Sequence, residues 1–266
     1  METKKVVREA YGKISKNPKG SGCCCGRSCG PEAKQYAKSL GYSEKELKVI
    51  PEEANLALGC GNPTAIAGLK AGEVVLDLGS GAGFDCFLAA TQVGPEGKVI
   101  GVDMTTEMVE RARDIAQKRG VRNVDFRLGE IEALPVADAS VDVVLSNCVI
   151  NLSPDKPQVF REVYRVLKDG GRIAVSDLAL TKELPPKLRE SVAAYVGCVG
   201  GALLVKDYER AVKDSGLKDV KLTVKSLSGC IDPDTKDPLA KAVVKSLKDA
   251  ETLSQSVISI YVEARK

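Results

Sequence analysis

Val74-Val75-Leu76 runs directly into Asp77-Leu78-Gly79-Ser80-Gly81-Ala82-Gly83, and this junction constrains the fold more than any other stretch of the chain. A short, uninterrupted apolar run is what a strand buried on both faces of a parallel sheet requires. Glycines at alternate positions then let the backbone turn tightly without Cβ clashes, and let a ligand approach it closely. A Gly-x-Gly pattern taken alone also fits an ordinary strand-to-helix turn, so the flanking chain has to decide.

The flank favours a nucleotide-type ligand. A helical pattern leaves Gly83 and runs through Val93, after which Lys98-Val99-Ile100-Gly101-Val102-Asp103 reads as a second strand. It ends in an acid about twenty residues past the glycines, the spacing at which a carboxylate accepts both hydroxyls of a ribose. Thr105 to Arg119 is a helix terminated by Gly120, and Val124–Leu128 a third strand leading to Glu130 and Ile131, an acid and an apolar residue placed for an adenine edge and face. Val141–Ser146 and Arg172–Asp177 are the fourth and fifth strands, separated by a helix from Lys156 to Leu167. Strict alternation predicts an α/β fold, a doubly wound, mostly parallel sheet with helices on both faces. The half-exposed runs Lys221–Leu227 and Val257–Ala264 are expected to finish it as an antiparallel pair. Three regions follow: a helical, Cys-rich segment over 1–72, a core over 73–180, and an α+β extension over 181–266.

Composition narrows the chemistry. The 266 residues include no histidine, which removes the usual general base, the Ser-His and Cys-His nucleophile pairs and imidazole metal ligation. A net charge of +3 with no basic block argues against a nucleic-acid partner. With no apolar leader and no run of about 18 apolar residues, a cytoplasmic protein without membrane contact is expected.

Nine cysteines are then conspicuous, and an odd number without a leader points to reduced thiols rather than a disulfide framework. Cys23, Cys24, Cys25 and Cys29 cluster on a Gly- and Pro-rich segment open to structural zinc or to redox or metalloid chemistry; without two Cys-x-x-Cys pairs the second fits better. Cys60 precedes Asn62 and Pro63, a cap and first residue for a short helix through Leu69, a position that favours thiolate and leaves a reactive role and packing both open. Cys86 begins a helix where a small buried apolar residue would fit.

These residues carry a resemblance. Residues 73–180 resemble the class I S-adenosylmethionine-dependent methyltransferases, whose sheet is Rossmann-like, with a Gly-x-Gly-x-Gly loop in place of the dinucleotide Gly-x-Gly-x-x-Gly. Gly59-Cys60-Gly61, the run from Ser146 to Leu152 and the run from Gly197 to Leu203 resemble arsenite methyltransferases, and the likeness extends over most of residues 1–215. It implies S-adenosylmethionine as cofactor, held by Asp77, Gly79, Ser80, Gly81, Gly83, Asp103, Met104, Glu130, Ile131 and Asn147. It implies Cys60, Cys148 and Cys198 as catalytic thiolates holding As(III), and a redox relay drawn from Cys23, Cys24, Cys25 and Cys29. The implied substrate is arsenite or an arsenic–thiol conjugate, the reductant thioredoxin or glutathione, and the role arsenic detoxification. Cys230 is either incidental or an accessory arsenical contact.

Trivalent arsenic is soft and thiophilic, and thiolate ligation leaves it a lone pair that attacks a sulfonium methyl without proton abstraction, which suits a chain with no histidine. Two other readings share parts of the pattern. A quinone or sterol carbon methyltransferase uses the cofactor residues but has no use for three separated cysteines. A thiol-based metalloid-binding protein uses the sulfurs but not Asp77, Gly79, Gly81 and Asp103.

Overall fold

A computed structural model gives the fold and describes residues 3–17, 31–184, 186–189, 192–225 and 256–266. Cys23, Cys24, Cys25, Cys29 and Cys230 lie outside the described residues. Helices α1 (Thr3–Lys16), α2 (Pro31–Ser39), α3 (Glu44–Val49) and α4 (Thr64–Ala67) come first. The chain then alternates β1 (Val74–Leu78), α5 (Phe84–Val93), β2 (Lys98–Asp103), α6 (Thr106–Arg119), β3 (Val124–Leu128), β4 (Val141–Asn147), α7 (Lys156–Val166) and β5 (Leu167–Leu180). After these come α8 (Pro186–Arg189), α9 (Val192–Val196), α10 (Val205–Asp214), β6 (Lys218–Lys225) and β7 (Val257–Arg265).

Side chains that alternate along each strand build two apolar layers. Leu76 and Leu78 of β1 join Ile173 and Val175 of β5 on one face, under Phe160 and Val163 of α7 and Tyr208 and Val212 of α10. Val75 and Ala174 point the other way, into a layer closed by Phe87 and Leu88 of α5 and Val109 and Ala112 of α6. The seven described strands run β3-β2-β1-β4-β5-β7-β6, with β1 to β5 parallel and β7 antiparallel between β5 and β6. This is the doubly wound, mostly parallel sheet that the alternation predicts, finished by the antiparallel pair.

Boundaries follow local chemistry. Gly120, at φ +66°, ends α6 and donates its N–H to the carbonyls of Ala116 and Gln117. Asp155 caps α7 by accepting the Gln158 N–H, with Pro157 in the first turn. β5 is longer than the sequence pattern indicates: β7 pairs with it past Asp177 as far as Leu180, and its start at Leu167, expected to end the preceding helix, pairs with Val141 of β4. The helix expected from Pro63 to Leu69 is instead the single turn α4. Among the described residues no helix is long and apolar enough to cross a membrane.

β1 pairs with β2 on one side and β4 on the other, so the strand order reverses at β1. Crevices at the carboxyl ends of such strands are where open α/β sheets bind ligands. The glycine loop leaves β1 at this point, and Asn147-Cys148 leave the neighbouring β4.

Candidate active site

The loop after β1 has the conformation its glycines foreshadow. Gly79, Gly81 and Gly83 sit at φ +62°, +53° and +90°, and a Cβ on Gly79 would collide with Val149. The space a Gly81 Cβ would take is open. The Gly81 N–H donates to Asp103 Oδ2 at 2.9 Å and the Thr105 N–H to Oδ1 at 2.8 Å. Each carboxylate oxygen keeps a lone pair, the acceptor set a ribose diol requires. Burial raises the Asp103 pKa, and these two N–H groups oppose it. Ser80 Oγ is buried with no hydrogen-bond partner, an orphaned hydroxyl inside the loop. An open glycine cradle, a two-acceptor acid and an orphaned hydroxyl fit a nucleoside cofactor.

Asp77 is buried at the end of β1, and burial, then the neighbouring Asp85, push its carboxyl well above the usual range. The Cys86 thiol donates to Asp77 Oδ2 at 3.2 Å and is itself fully buried, with its pKa raised by burial and then by Asp77. Cys86 is thus a packed hydrogen-bond donor and not a thiolate. Burial raises Asp85 to about 6, against hydrogen bonds from the Tyr42 hydroxyl at 2.6 Å and Asn147 Nδ2 at 3.0 Å.

Other residues of the expected cofactor set are differently engaged. Ile131 is buried in the core, and Glu130 accepts hydrogen bonds from Lys4 at 2.7 Å and Arg8 at 3.2 Å, both from α1. The Asn147 side chain is spent on the protein: Oδ1 accepts the Cys60 N–H, and Nδ2 reaches Gly61 O, Asp85 and Tyr42. Met104 is half-buried against the apolar cluster that holds the thiols.

That cluster gathers all three expected cysteines. Cys60, Cys148 and Cys198 share it with Val7 and Tyr11 of α1, Leu152, Leu178 and Met104. A disulfide joins Cys60 to Cys148, with 5.8 Å between their Cα atoms, whereas Cys86 and Cys198 are in none. Composition had pointed to reduced thiols; pairing requires only that two loops 88 residues apart meet, which composition does not register. The Cys198 thiol donates to the Cys148 carbonyl at 2.9 Å. Cys148 and Cys198 both lie in the left-handed region, at φ +59° and +64°, an uncommon conformation for a residue with a side chain. Cys60 is held by its N–H to Asn147 and by the Ser259 hydroxyl on its carbonyl at 3.1 Å. The position before a helix, expected to favour a Cys60 thiolate, does so only weakly in the fold, since α4 is one turn long and its dipole correspondingly small.

Two features escaped the sequence. A carboxylate oxygen of Asp177 and the sulfurs of Cys60 and Cys148 all lie within 4.8 Å of one another. Asp177 is fully buried, and burial raises it to about 7 against hydrogen bonds from Leu178 N–H, Asn151 and Tyr208. Its place at the end of the fifth strand as the sequence pattern draws it, Arg172–Asp177, is the signal that could have found it. α1 covers the same region: Val7 is 1% exposed, and Tyr11 donates to the Val196 carbonyl at 3.4 Å.

A family model described as a methyltransferase domain matches residues 69–216. The chain is 46% identical over 237 residues to an arsenite methyltransferase of Halobacterium salinarum, covering 85% of this chain and 60% of that one. It is 36% identical over 236 residues to the human arsenite methyltransferase, covering 85% and 61%. The chain therefore spans about three fifths of the length of these relatives. Among solved structures, an arsenic(III) S-adenosylmethionine methyltransferase from Chlamydomonas reinhardtii superposes with a TM-score of 0.61 at 32% identity, covering 89% of this chain and 74% of that one. At 32% identity over 89% of this chain and 74% of that structure, together with a methyltransferase-domain match over more than half of the sequence, the chain belongs to the arsenite methyltransferase family of class I methyltransferases.

Proposed function

We propose that the chain methylates trivalent arsenic held by Cys60, Cys148 and Cys198. The observation that carries this reading is the convergence of these cysteines, from three separate segments, in one apolar cluster beside Met104 and the cofactor loop. S-adenosylmethionine, when bound, supplies an electrophilic methyl on a sulfonium. Gly79, Gly81 and Asp103 are the residues that would hold it, with Ser80 Oγ a further donor.

The protein's own residues have a short list of tasks. Thiolates fix a thiophilic acceptor and leave its lone pair exposed, and the acceptor carries no proton that must be removed, so no general base is required. The apolar walls contributed by Val7, Leu152 and Leu178 exclude water from the region where the partners meet. Methyl transfer raises arsenic formally by two electrons. A thiol pair that closes to a disulfide returns them, and Cys60 and Cys148 are a pair able to do so. An external thiol, thioredoxin or glutathione, then reopens the pair by exchange. Cys60 is only 5% exposed, so a relay through Cys23, Cys24, Cys25 or Cys29 would carry electrons inward.

The test is direct. The purified chain is incubated with arsenite, a radiolabelled methyl donor and thiol, and the arsenicals are separated; methylated arsenic is expected. Its absence from a preparation that binds S-adenosylhomocysteine would overturn the reading. Replacing Cys23, Cys24, Cys25 and Cys29 together with serine tests the relay: multiple turnover is expected to fall while a single pre-reduced turnover persists, and unchanged multiple turnover rejects it.

A further inference from the structure

The loop that carries Cys60 is docked on a row of three polar side chains across adjacent strands. Asn147 of β4 is paired with Ser176 of β5, and Ser176 with Tyr261 of β7, so all three side chains stand on one face of the sheet. Asn147 Oδ1 accepts the Cys60 N–H at 3.0 Å, and the Tyr261 hydroxyl accepts the Asn62 N–H at 2.9 Å. The middle member faces the sulfur instead of the backbone: Ser176 Oγ, on a fully buried residue, lies 3.7 Å from Cys60 Sγ. Among the described residues this hydroxyl is the hydrogen-bond partner of the Cys60 sulfur. Gly61 makes the approach possible, because a Cβ there would fall on Ser176 Oγ. The Ser176 carbonyl meanwhile accepts the Cys148 N–H at 2.8 Å, so one residue touches both halves of the disulfide.

We infer that Ser176 is a positioning residue that holds the Cys60 sulfur and poises the Cys60–Cys148 pair toward its open, dithiol form, the form that can take arsenic. The inference rests on the arsenic reading above, in which all three cysteines bind as thiolates. Opening breaks the S–S bond; the pair gains two electrons and two protons from external thiols, which close to a disulfide of their own. The bonded Cys60 sulfur carries no proton, so in the disulfide Ser176 donates to a weak acceptor. Once the bond is broken the contact strengthens in either protonation state. A thiol can donate its S–H to Ser176 Oγ, and a thiolate accepts a charge-assisted bond from the hydroxyl. The hydroxyl therefore stabilises the open pair more than the closed one, and the equilibrium shifts toward the thiols.

The reduction equilibrium of the pair is the decisive readout. The full chain is equilibrated without arsenic in glutathione or dithiothreitol redox buffers that bracket the midpoint, then quenched in acid and alkylated. The Cys60–Cys148 disulfide is quantified by peptide mass spectrometry. Ser176→Ala is expected to lower the equilibrium constant for reduction by about fivefold, a shift of about 20 mV to more negative potential. Ser259→Ala is the control: it also removes a buried hydroxyl from the Cys60 loop, but one that donates to the Cys60 carbonyl at 3.1 Å and not to the sulfur. It is expected to stay within about twofold of wild type. Equal shifts in the two variants would reduce Ser176 to a support of the loop and overturn the inference, as would an unshifted Ser176→Ala. The titration contains no arsenical, so either of these outcomes leaves the arsenic reading standing. A fully reduced wild-type chain that binds no arsenite in equilibrium dialysis overturns that reading instead, and the inference with it.

Discussion

The side-chain oxygen of Asn147 accepts the backbone N–H of Cys60 at 3.0 Å, so the residue that ends β4 holds the loop that carries the first thiol. Its amide nitrogen ties the same loop through Gly61 O at 2.9 Å and reaches Asp85 at the start of α5. Asn147→Ala would orphan several part-buried partners at once, and a cost of about 1–3 kcal/mol is expected in urea denaturation. Because the side chain is spent on the thiol loop, arsenite affinity is expected to fall by more than tenfold and S-adenosylhomocysteine affinity by less than threefold. Equal losses in the two titrations would return Asn147 to the cofactor set.

Gly79 is fixed by two independent constraints, a φ of +62° and the Val149 side chain against its α-carbon. Gly79→Ala is expected to cost about 1–3 kcal/mol, part backbone strain and part collision. Val149→Ala removes only the collision. The double variant should therefore be more stable than the sum of the single costs predicts, by about 1 kcal/mol in a double-mutant cycle, while remaining less stable than Val149→Ala alone.

Two carboxyls give opposite pH signs. Glu73 is pushed up by burial, but its bidentate pairing with Arg172, at 2.7 and 2.9 Å, prevails and holds its pKa below the ordinary 4.5. Its contribution to stability is present above 4.5 and is lost as pH falls through the lower folded value. Asp177, raised from 3.8 to about 7, behaves the other way: stability linked to its proton is full below 3.8 and is lost as pH rises to about 7. Urea midpoints measured from pH 3 to 8 should show Glu73→Gln converging on wild type in acid. Asp177→Asn should gain on wild type between about pH 4 and 7.

What could be read from the sequence was local. The strand, three glycines and Asp103 lie within about thirty residues, and each is recognisable by spacing alone. Period-two alternation marks β6 and β7 as the closing strands, but β7, read as half-exposed, is almost wholly buried in its place between β5 and β6. What could not be read depends on pairs distant in sequence. Asp177 matters because Cys60 and Cys148 arrive beside it from loops 88 residues apart. Glu130, placed for an adenine by its strand, meets Lys4 across 126 residues because α1 folds back over the site. The pattern of α1 shows an amphipathic helix but not the surface it covers.

Cys198 offers a last test, one that separates backbone strain from chemistry. It lies at φ +64° in the tight turn where its N–H donates to the Tyr195 carbonyl at 2.9 Å. A residue with a Cβ is strained there by about 1 kcal/mol or more, and glycine is not. Ordinarily, trimming a buried side chain from alanine to glycine destabilises a protein; here Cys198→Gly is expected to be more stable than Cys198→Ala by about 1 kcal/mol in urea denaturation. Both variants should lose methylation of arsenite. A glycine variant that is the less stable of the two would show that the turn holds no strain to release. The left-handed conformation of the thiol would then have to be explained by packing against Tyr195 and Val199 alone.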